Sequence, residues 1–311
     1  MADTGGMNRT SPALPPEPAV AGRDAPVAEH VRAALHTRLR GLLAHDPGTR
    51  LGEDPEELHQ MRVSVRRMRA VLRSARPFLD TSWSEPLRAE LGALGRALGP
   101  VRDLDVLLER LRQDAAELDT AELSAAARLI SGLEVEHGGA RFEMLAVLDG
   151  DRYEALVNAL REAVRAPLPT AGTGAHGRRE LRALVAEQYR KLRRAVDAAG
   201  REPSDERLHE LRILGKRLRY TAELAEPVLG KQMKKLLSAA KDFQDVLGAH
   251  QDACVAQQRV RDLLAGLGEQ VDPAVTFVAG RLVERENARR FAQREKWWAA
   301  WRDLRAAAAK V

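Results

Sequence analysis

An all-α fold built from two related halves is what this sequence predicts, and three observations carry that reading. Ala, Leu, Arg and Glu dominate while aromatic residues make up only 4% of the chain, a balance that favours helix formers over strand formers. Apolar residues recur at alternating spacings of three and four, the period of a helix face. Two segments, one from Leu58 and one from Leu208, repeat each other in order and spacing. With 311 residues and 44% hydrophobic content, the chain can bury a sizeable core as one large or two ordinary domains.

Residues 1–26 hold five prolines, three glycines and hardly any large apolar side chain, which predicts a disordered tail outside the fold. The first amphipathic helix runs from Val27 to about Ala44, with Val31, Leu35, Leu39 and Leu42 on one face, and is expected to stop before Asp46-Pro47-Gly48. Asp54 reads as the N-cap of the second helix, with Pro55 at its first position and Glu56 and Glu57 on the positive end of its dipole. Pro77 closes it.

A helix over Trp83–Leu98, capped by Ser82 or Ser84, is expected to end at Gly99-Pro100, with another from Val101 to Leu118. Further helices are expected at Ala121–Val135, Arg141–Leu148 and Tyr153–Ala166, and Pro167–Gly177 reads as a linker. Beyond it come Arg178–Ala198, a helix capped by Ser204 or Asp205 and closed by Pro227, Lys231–Leu247, a turn at Gly248, Asp252–Leu264, and Pro273 to about Ala308. The predicted organisation is therefore a first helical repeat over 27–166, a linker over 167–177 and a second repeat over 178–308. Each half supplies about four helices, so two four-helix bundles related by a pseudo-twofold axis follow.

The repeat is also where the charge lies. Leu58–Leu79 (LHQMRVSVRRMRAVLRSARPFL) contains six arginines and no acid, against +5 for the whole chain, so the remainder is slightly acidic. On a helix, Leu58, Met61, Val65, Met68 and Leu72 form an apolar stripe, and His59, Arg62, Arg66, Arg69 and Arg73 form a basic stripe one residue along. The usual reading of such a run is a solvated face paired with acids, but the i, i+4 acidic partners are missing within this helix.

At a constant offset of 150, Leu58-His59, Met61-Arg62, Arg66-Arg67, Met68-Arg69 and Pro77 match Leu208-His209, Leu211-Arg212, Lys216-Arg217, Leu218-Arg219 and Pro227. At an offset of 149, Leu98-Gly99 and Arg102-Asp103 match Leu247-Gly248 and Gln251-Asp252. An internal duplication is the expectation, and it sets the stripe of His209, Arg212, Lys216 and Arg219 facing that of His59, Arg62, Arg66 and Arg69 across a shared groove or channel. Like charges so arranged call for an anion, water or acids from other helices.

These segments, LHQMRVSVRRMRAVLRSARPFL, LGPVRDLDVLLERL, LHELRILGKRLRYTAELAEPVLG and KDFQDVLGAHQDACVA, resemble the conserved histidine α-helical domain family, CHAD, over roughly Val27 to Leu304. The resemblance implies two pseudo-twofold-related four-helix bundles and a basic pore or surface that binds inorganic polyphosphate without catalysis, often with localisation to polyphosphate granules. The glutamate-rich ExExK mark of the CYTH domain often fused to it does not occur here, so a stand-alone CHAD protein is expected. The implied polyphosphate-binding residues are His59, Arg62, Arg66, Arg69, His209, Arg212, Lys216 and Arg219, with Arg67, Arg73, Arg217 and Lys241 beside them. Glu223 departs from the symmetry, standing where the first repeat has Arg73.

The chemistry is consistent with that expectation. Guanidinium groups hold two phosphoryl oxygens at once, and lysine adds a point charge. His59 and His209 are read either as donors in the site or as packing residues satisfied by a backbone carbonyl. Asp103, Asp105 and Asp252 could suggest a metal, but an acid after a Leu-Gly turn more simply serves a helix N-terminus or an arginine, so neither metal nor cofactor is expected.

Trp297, Trp298 and Trp301 read as core or as an oligomer contact rather than a base-stacking platform, and homodimerisation is left open. No GxxxxGK, GxGxxG, HExxH or GxSxG motif occurs, which argues against the common enzyme classes. Nucleic-acid binding through the same basic surface, and histidine-dependent phosphate chemistry, remain the two alternatives. The single cysteine, Cys254, excludes an internal disulfide, and neither an apolar run of about eighteen residues nor a secretory leader is seen, so a cytoplasmic, non-membrane location is expected.

Overall fold

The computed structural model describes residues 20–172, 176–268 and 270–310, and the regular structure among them is helical throughout. Nine α-helices follow in order: α1 (Val27–Leu51), α2 (Pro55–Ser74), α3 (Thr81–Ala115), α4 (Thr120–Asp149), α5 (Asp151–Arg165), α6 (Gly177–Ala199), α7 (Asp205–Leu229), α8 (Lys231–Gly266) and α9 (Pro273–Ala308). The all-α prediction holds. Of the tail expected over 1–26, residues 1–19 lie outside the described residues, and the rest leads through a turn, Ala25 N–H to the Gly22 carbonyl at 3.1 Å, into α1.

Helix caps fall largely where side-chain chemistry put them. The Asp54 carboxylate accepts from Glu56 N–H to start α2, and Ser204 accepts from Arg207 N–H to start α7. Helix α3 is capped by Asp80 rather than by Ser82 or Ser84. The expected breaks are the larger difference. α1 continues through Asp46-Pro47-Gly48, because Asp46 is buried and accepts from Tyr153 and Arg50, which fixes that turn from outside. It ends at Gly52 (φ +76°), and Arg141 of α4 then caps the free carbonyls of Arg50 and Leu51 at 2.6 and 2.9 Å.

Helix α3 is likewise a single helix through Gly99-Pro100, α4 runs through Gly138-Gly139, and α8 runs through Gly248. A proline inside a helix costs about 3 kcal/mol. In α3 that is offset by burial of Leu98, Val101 and Leu104 on either side of it, each worth roughly 1.5–3 kcal/mol.

The packing order repeats: α1 on α2, α2 on α3 and α3 on α4 in the first half, then α6 on α7, α7 on α8 and α8 on α9 in the second. Helices α2 and α7 also pack on each other, and α5 fills in against α1, α3 and α4. The apolar interior forms two clusters. The larger holds α1, α2, α5, α6, α7, the first parts of α3 and α8, and Trp297, Trp301 and Leu304 of α9. The smaller lies at the far ends of the long helices, with Leu104–Ala115 of α3, Ala125–Leu133 of α4, Ala256 and Val260 of α8 and Val275–Leu282 of α9.

Trp297 and Trp301 are buried in the larger core, where Trp301 meets Phe243 at 6.1 Å and Tyr189 at 6.2 Å, so they form no open stacking platform. The segment read as a linker is pinned where it is described: Leu168 is buried and Asp80 N–H donates to the Pro169 carbonyl at 3.0 Å. No helix among the described residues is long and apolar enough to cross a membrane.

Candidate anion-binding site

The apolar stripe of α2 sits in the larger core, with Leu58, Met61, Val65, Met68 and Leu72 all at most 5% exposed. That burial turns the neighbouring basic stripe outward along α2, half buried, beside the matching stripe of α7. Arg62 donates to Asp103 of α3 at 2.9 Å. Among the described residues, Arg66, Arg69 and Arg73 of α2, and Arg212, Lys216 and Arg217 of α7, have no carboxylate within 4.0 Å. The Nε atoms of Arg66, Arg69, Arg212 and Arg217 are buried without a hydrogen-bond partner, so the stems are packed into the surface.

The electrostatics join the two helices. Burial, then Arg212, Arg66 and Arg62, push the Lys216 ammonium down to about 8, with only Asp252 opposing them. Burial also lowers the Arg212 pKa; Asp252 opposes this, while Arg66 and Arg62 add to it. At the other end Arg69 is lowered by burial, Arg88 and Arg96, and Arg73 by burial, Arg217, Arg88 and Arg69. Six unpaired cations from two helices thus form one surface.

Helix α3 contributes more than sequence reasoning assigned to it. Gly92 makes room for Arg69, since a Cβ there would stand 3.4 Å from Arg69 Nη2. Arg88 and Arg96 of α3 face Arg69, and Arg102 of α3 donates its Nε–H to His59 Nδ1 at 3.2 Å. The two-turn spacing of Arg88 and Arg96, inside the helix expected over Trp83–Leu98, was the available signal; that they face Arg69 depends on how α3 packs on α2.

The hydrogen bond from Arg102 fixes the His59 tautomer. A guanidinium only donates, so Nδ1 accepts and the proton sits on Nε2. Burial, then Arg102, lower the pKa of His59, which keeps the ring neutral at pH 7. His209 differs: its Nδ1–H donates to Gln251 Oε1 at 2.8 Å. Neither histidine is held through a backbone carbonyl.

Three of the sequence-predicted residues stand apart from the unpaired surface. Arg67 lies about 100° round the helix from Arg66 and meets Glu223 of α7, Nε to Oε2 at 3.2 Å. Arg219 donates to the same carboxylate, Nε to Oε1 at 3.1 Å. Glu223 therefore neutralises part of the α2/α7 contact. Lys241 is exposed and pairs along its own helix with Asp245 at 3.3 Å.

The acids considered for a metal are not gathered: Asp103 serves Arg62, Asp105 meets His137 Nε2 at 2.7 Å, and Asp252 is exposed near Lys216. Among the described residues the three-ligand cluster is elsewhere, at Asp205, His250 and Cys254, where Arg290 and Arg294 already occupy the Asp205 carboxylate.

The family model of the CHAD domain matches residues 33–261. The chain belongs to the CHAD family. The crystal structure of the CHAD domain from the plant Ricinus communis superposes with a TM-score of 0.71 at 26% identity, covering 94% of this chain and 97% of that one. PptA from Streptomyces chartreusis shares the fold, with a TM-score of 0.71, 22% identity, and coverage of 89% and 100%. Uncharacterized protein Rv2226 of Mycobacterium tuberculosis strain H37Rv and uncharacterized protein MT2285 of strain CDC 1551 are each 28% identical over 92% of this chain. The chain spans 55% of the length of each.

Proposed function

We propose that this chain is a non-catalytic module that binds inorganic polyphosphate along the surface formed by α2, α7 and the near side of α3. The observation that carries it is the set of unpaired cations Arg66, Arg69, Arg73, Arg212, Lys216 and Arg217, whose mutual repulsion a chain of phosphates relieves. The halves act as related copies, with Arg62 and Arg212 serving one anion. Arg67, Arg219 and Lys241, which already have partners, contribute less. The same surface, by accepting long chains, would attach the chain to polyphosphate granules.

Binding of long-chain polyphosphate, measured beside single-stranded RNA and DNA of matched charge at physiological salt, is the discriminating experiment. Polyphosphate is expected to bind more tightly by at least about tenfold, because aromatic rings on which bases could stack are sparse beside these cations, with Tyr220 near Arg212. Equal affinity would favour the nucleic-acid reading. Phosphate release or transfer on incubation with magnesium and nucleotide would favour the histidine-dependent enzyme.

Lys216 makes the binding pH-dependent. Its pKa in the free protein, about 8, rises when an anion neutralises its surroundings, so binding takes up a proton above that pH. Polyphosphate affinity is expected to fall by about fivefold to tenfold per pH unit above pH ~8.5. Lys216→Arg should flatten the profile; a variant with the same slope would assign the titration to another group.

A further inference from the structure

Between α1, α2 and α7 lies a cavity of about 320 Å³, lined by none of the unpaired cations of the anion surface. Ala33, Ala34, Val71, Leu224 and Pro227 give it apolar walls. Its polar lining includes Thr37, Arg38, Arg67, Tyr220, Glu223 and Glu226, the last paired with Lys234 at 3.6 Å. Arg67 and Arg219 share Glu223, whereas Arg38 has no carboxylate within 4.0 Å among the described residues. Burial, then Arg67, lower the pKa of Arg38, with Glu223 acting from beyond pairing distance. Among the described residues the wall thus carries one cation without a paired acid.

A second polar group is also unmatched. His30, on α1, is 4% exposed; one ring nitrogen bonds to the backbone of Ala25 and the other, Nε2, is buried with no partner. Because the Ala25 carbonyl only accepts, the proton sits on Nδ1 and Nε2 is a free acceptor. A buried acceptor left unmatched is destabilising, and a donor on a bound molecule relieves it.

We propose that this cavity binds a small ring-bearing monocarboxylate that carries a hydroxyl group. The carboxylate pairs with Arg38, the ring packs on the apolar walls, and the hydroxyl donates to His30 Nε2. A single negative charge matches the single unpaired guanidinium. A phosphate chain does not fit, because its multiple charges would face Glu223 and apolar walls. The volume is that of a site for a small organic molecule.

The test uses the full chain and 4-hydroxybenzoate as probe, by calorimetric titration. A dissociation constant of about 0.1–1 mM is expected, in keeping with a ligand of this size. Neutral 4-hydroxybenzyl alcohol should bind at least about tenfold more weakly, and benzoate severalfold more weakly, through loss of the charged contact and of the hydroxyl donor respectively. Arg38→Gln should weaken the probe by about tenfold or more. Ala34→Leu, which fills the cavity, should abolish probe binding while polyphosphate affinity stays unchanged. Absence of binding at about 10 mM probe to the folded chain, undiminished binding by Arg38→Gln, or displacement of the probe by polyphosphate would each overturn the assignment.

Discussion

Replacing Arg66, Arg212 and Lys216 together by glutamine is expected to weaken polyphosphate binding by about a thousandfold while leaving the apo protein at least as stable as before. Each lost charge-assisted contact is worth roughly 1.5 kcal/mol or more, and three of them approach 4–5 kcal/mol. The stability arm has the opposite sign because these groups repel one another in the free protein, with Lys216 held near pH 8 and Arg212 lowered by burial and by Arg66 and Arg62. The sign can be checked against pH. A lysine whose folded pKa lies below its unfolded value penalises folding below that folded pKa and releases the penalty as pH rises from about 8 towards 10.5. The triple variant should therefore lose a rise in melting temperature that the parent shows in that window. A variant that binds normally would place the ligand elsewhere, and one that melts much earlier would make these residues structural.

The second large effect is expected in the smaller core. Glu286 of α9 is fully buried and accepts from Arg110 Nε of α3 at 2.5 Å and from Arg289 Nη1 at 2.7 Å. Asp114 of α3, 1% exposed, accepts from Arg289 Nη1 at 2.7 Å, and its backbone carbonyl accepts from Arg285 at 2.8 Å. Hydrogen bonds to Asp114, followed by its charge and that of Glu286, raise the Arg289 pKa despite burial, so this cation stays charged. Removing one member of such a network leaves the others buried and unmatched, at about 3–5 kcal/mol. Glu286→Ala should lower the melting temperature by about 5–15 °C without touching polyphosphate affinity. Adding Arg110→Met to Glu286→Met should recover part of the loss. An unchanged melting temperature would mean that water replaces the carboxylate at little cost.

Much of this was legible in the chain, and the reasons differ by feature. The stripe of Arg62, Arg66, Arg69 and Arg73 and its copy from Arg212 could be read because helical period fixes faces without knowledge of neighbours. The unbroken course of α1 through Pro47 and α3 through Pro100 could not, because what holds them is a partner far away in sequence, such as Tyr153 on Asp46. The role of Glu223 was hidden for the same reason: only the α2/α7 contact shows that it serves Arg67 and Arg219 together. The ion cluster of Arg110, Asp114, Glu286 and Arg289 was hidden likewise, because its pairs join α3 to α9, far apart in the chain.

The packed stems of the unpaired arginines carry one more consequence. With the Nε atoms of Arg66, Arg69, Arg212 and Arg217 buried, each side chain keeps little rotamer freedom, and only its terminal nitrogens remain to meet solvent. Folding has then already ordered the donors, and binding must order only the ligand. Once one phosphate is held, the next arrives at high effective concentration against a donor already in place. On the proposed polyphosphate-binding reading the surface is a fixed template, and affinity is expected to grow with the length of the chain laid along it until the row of cations ends.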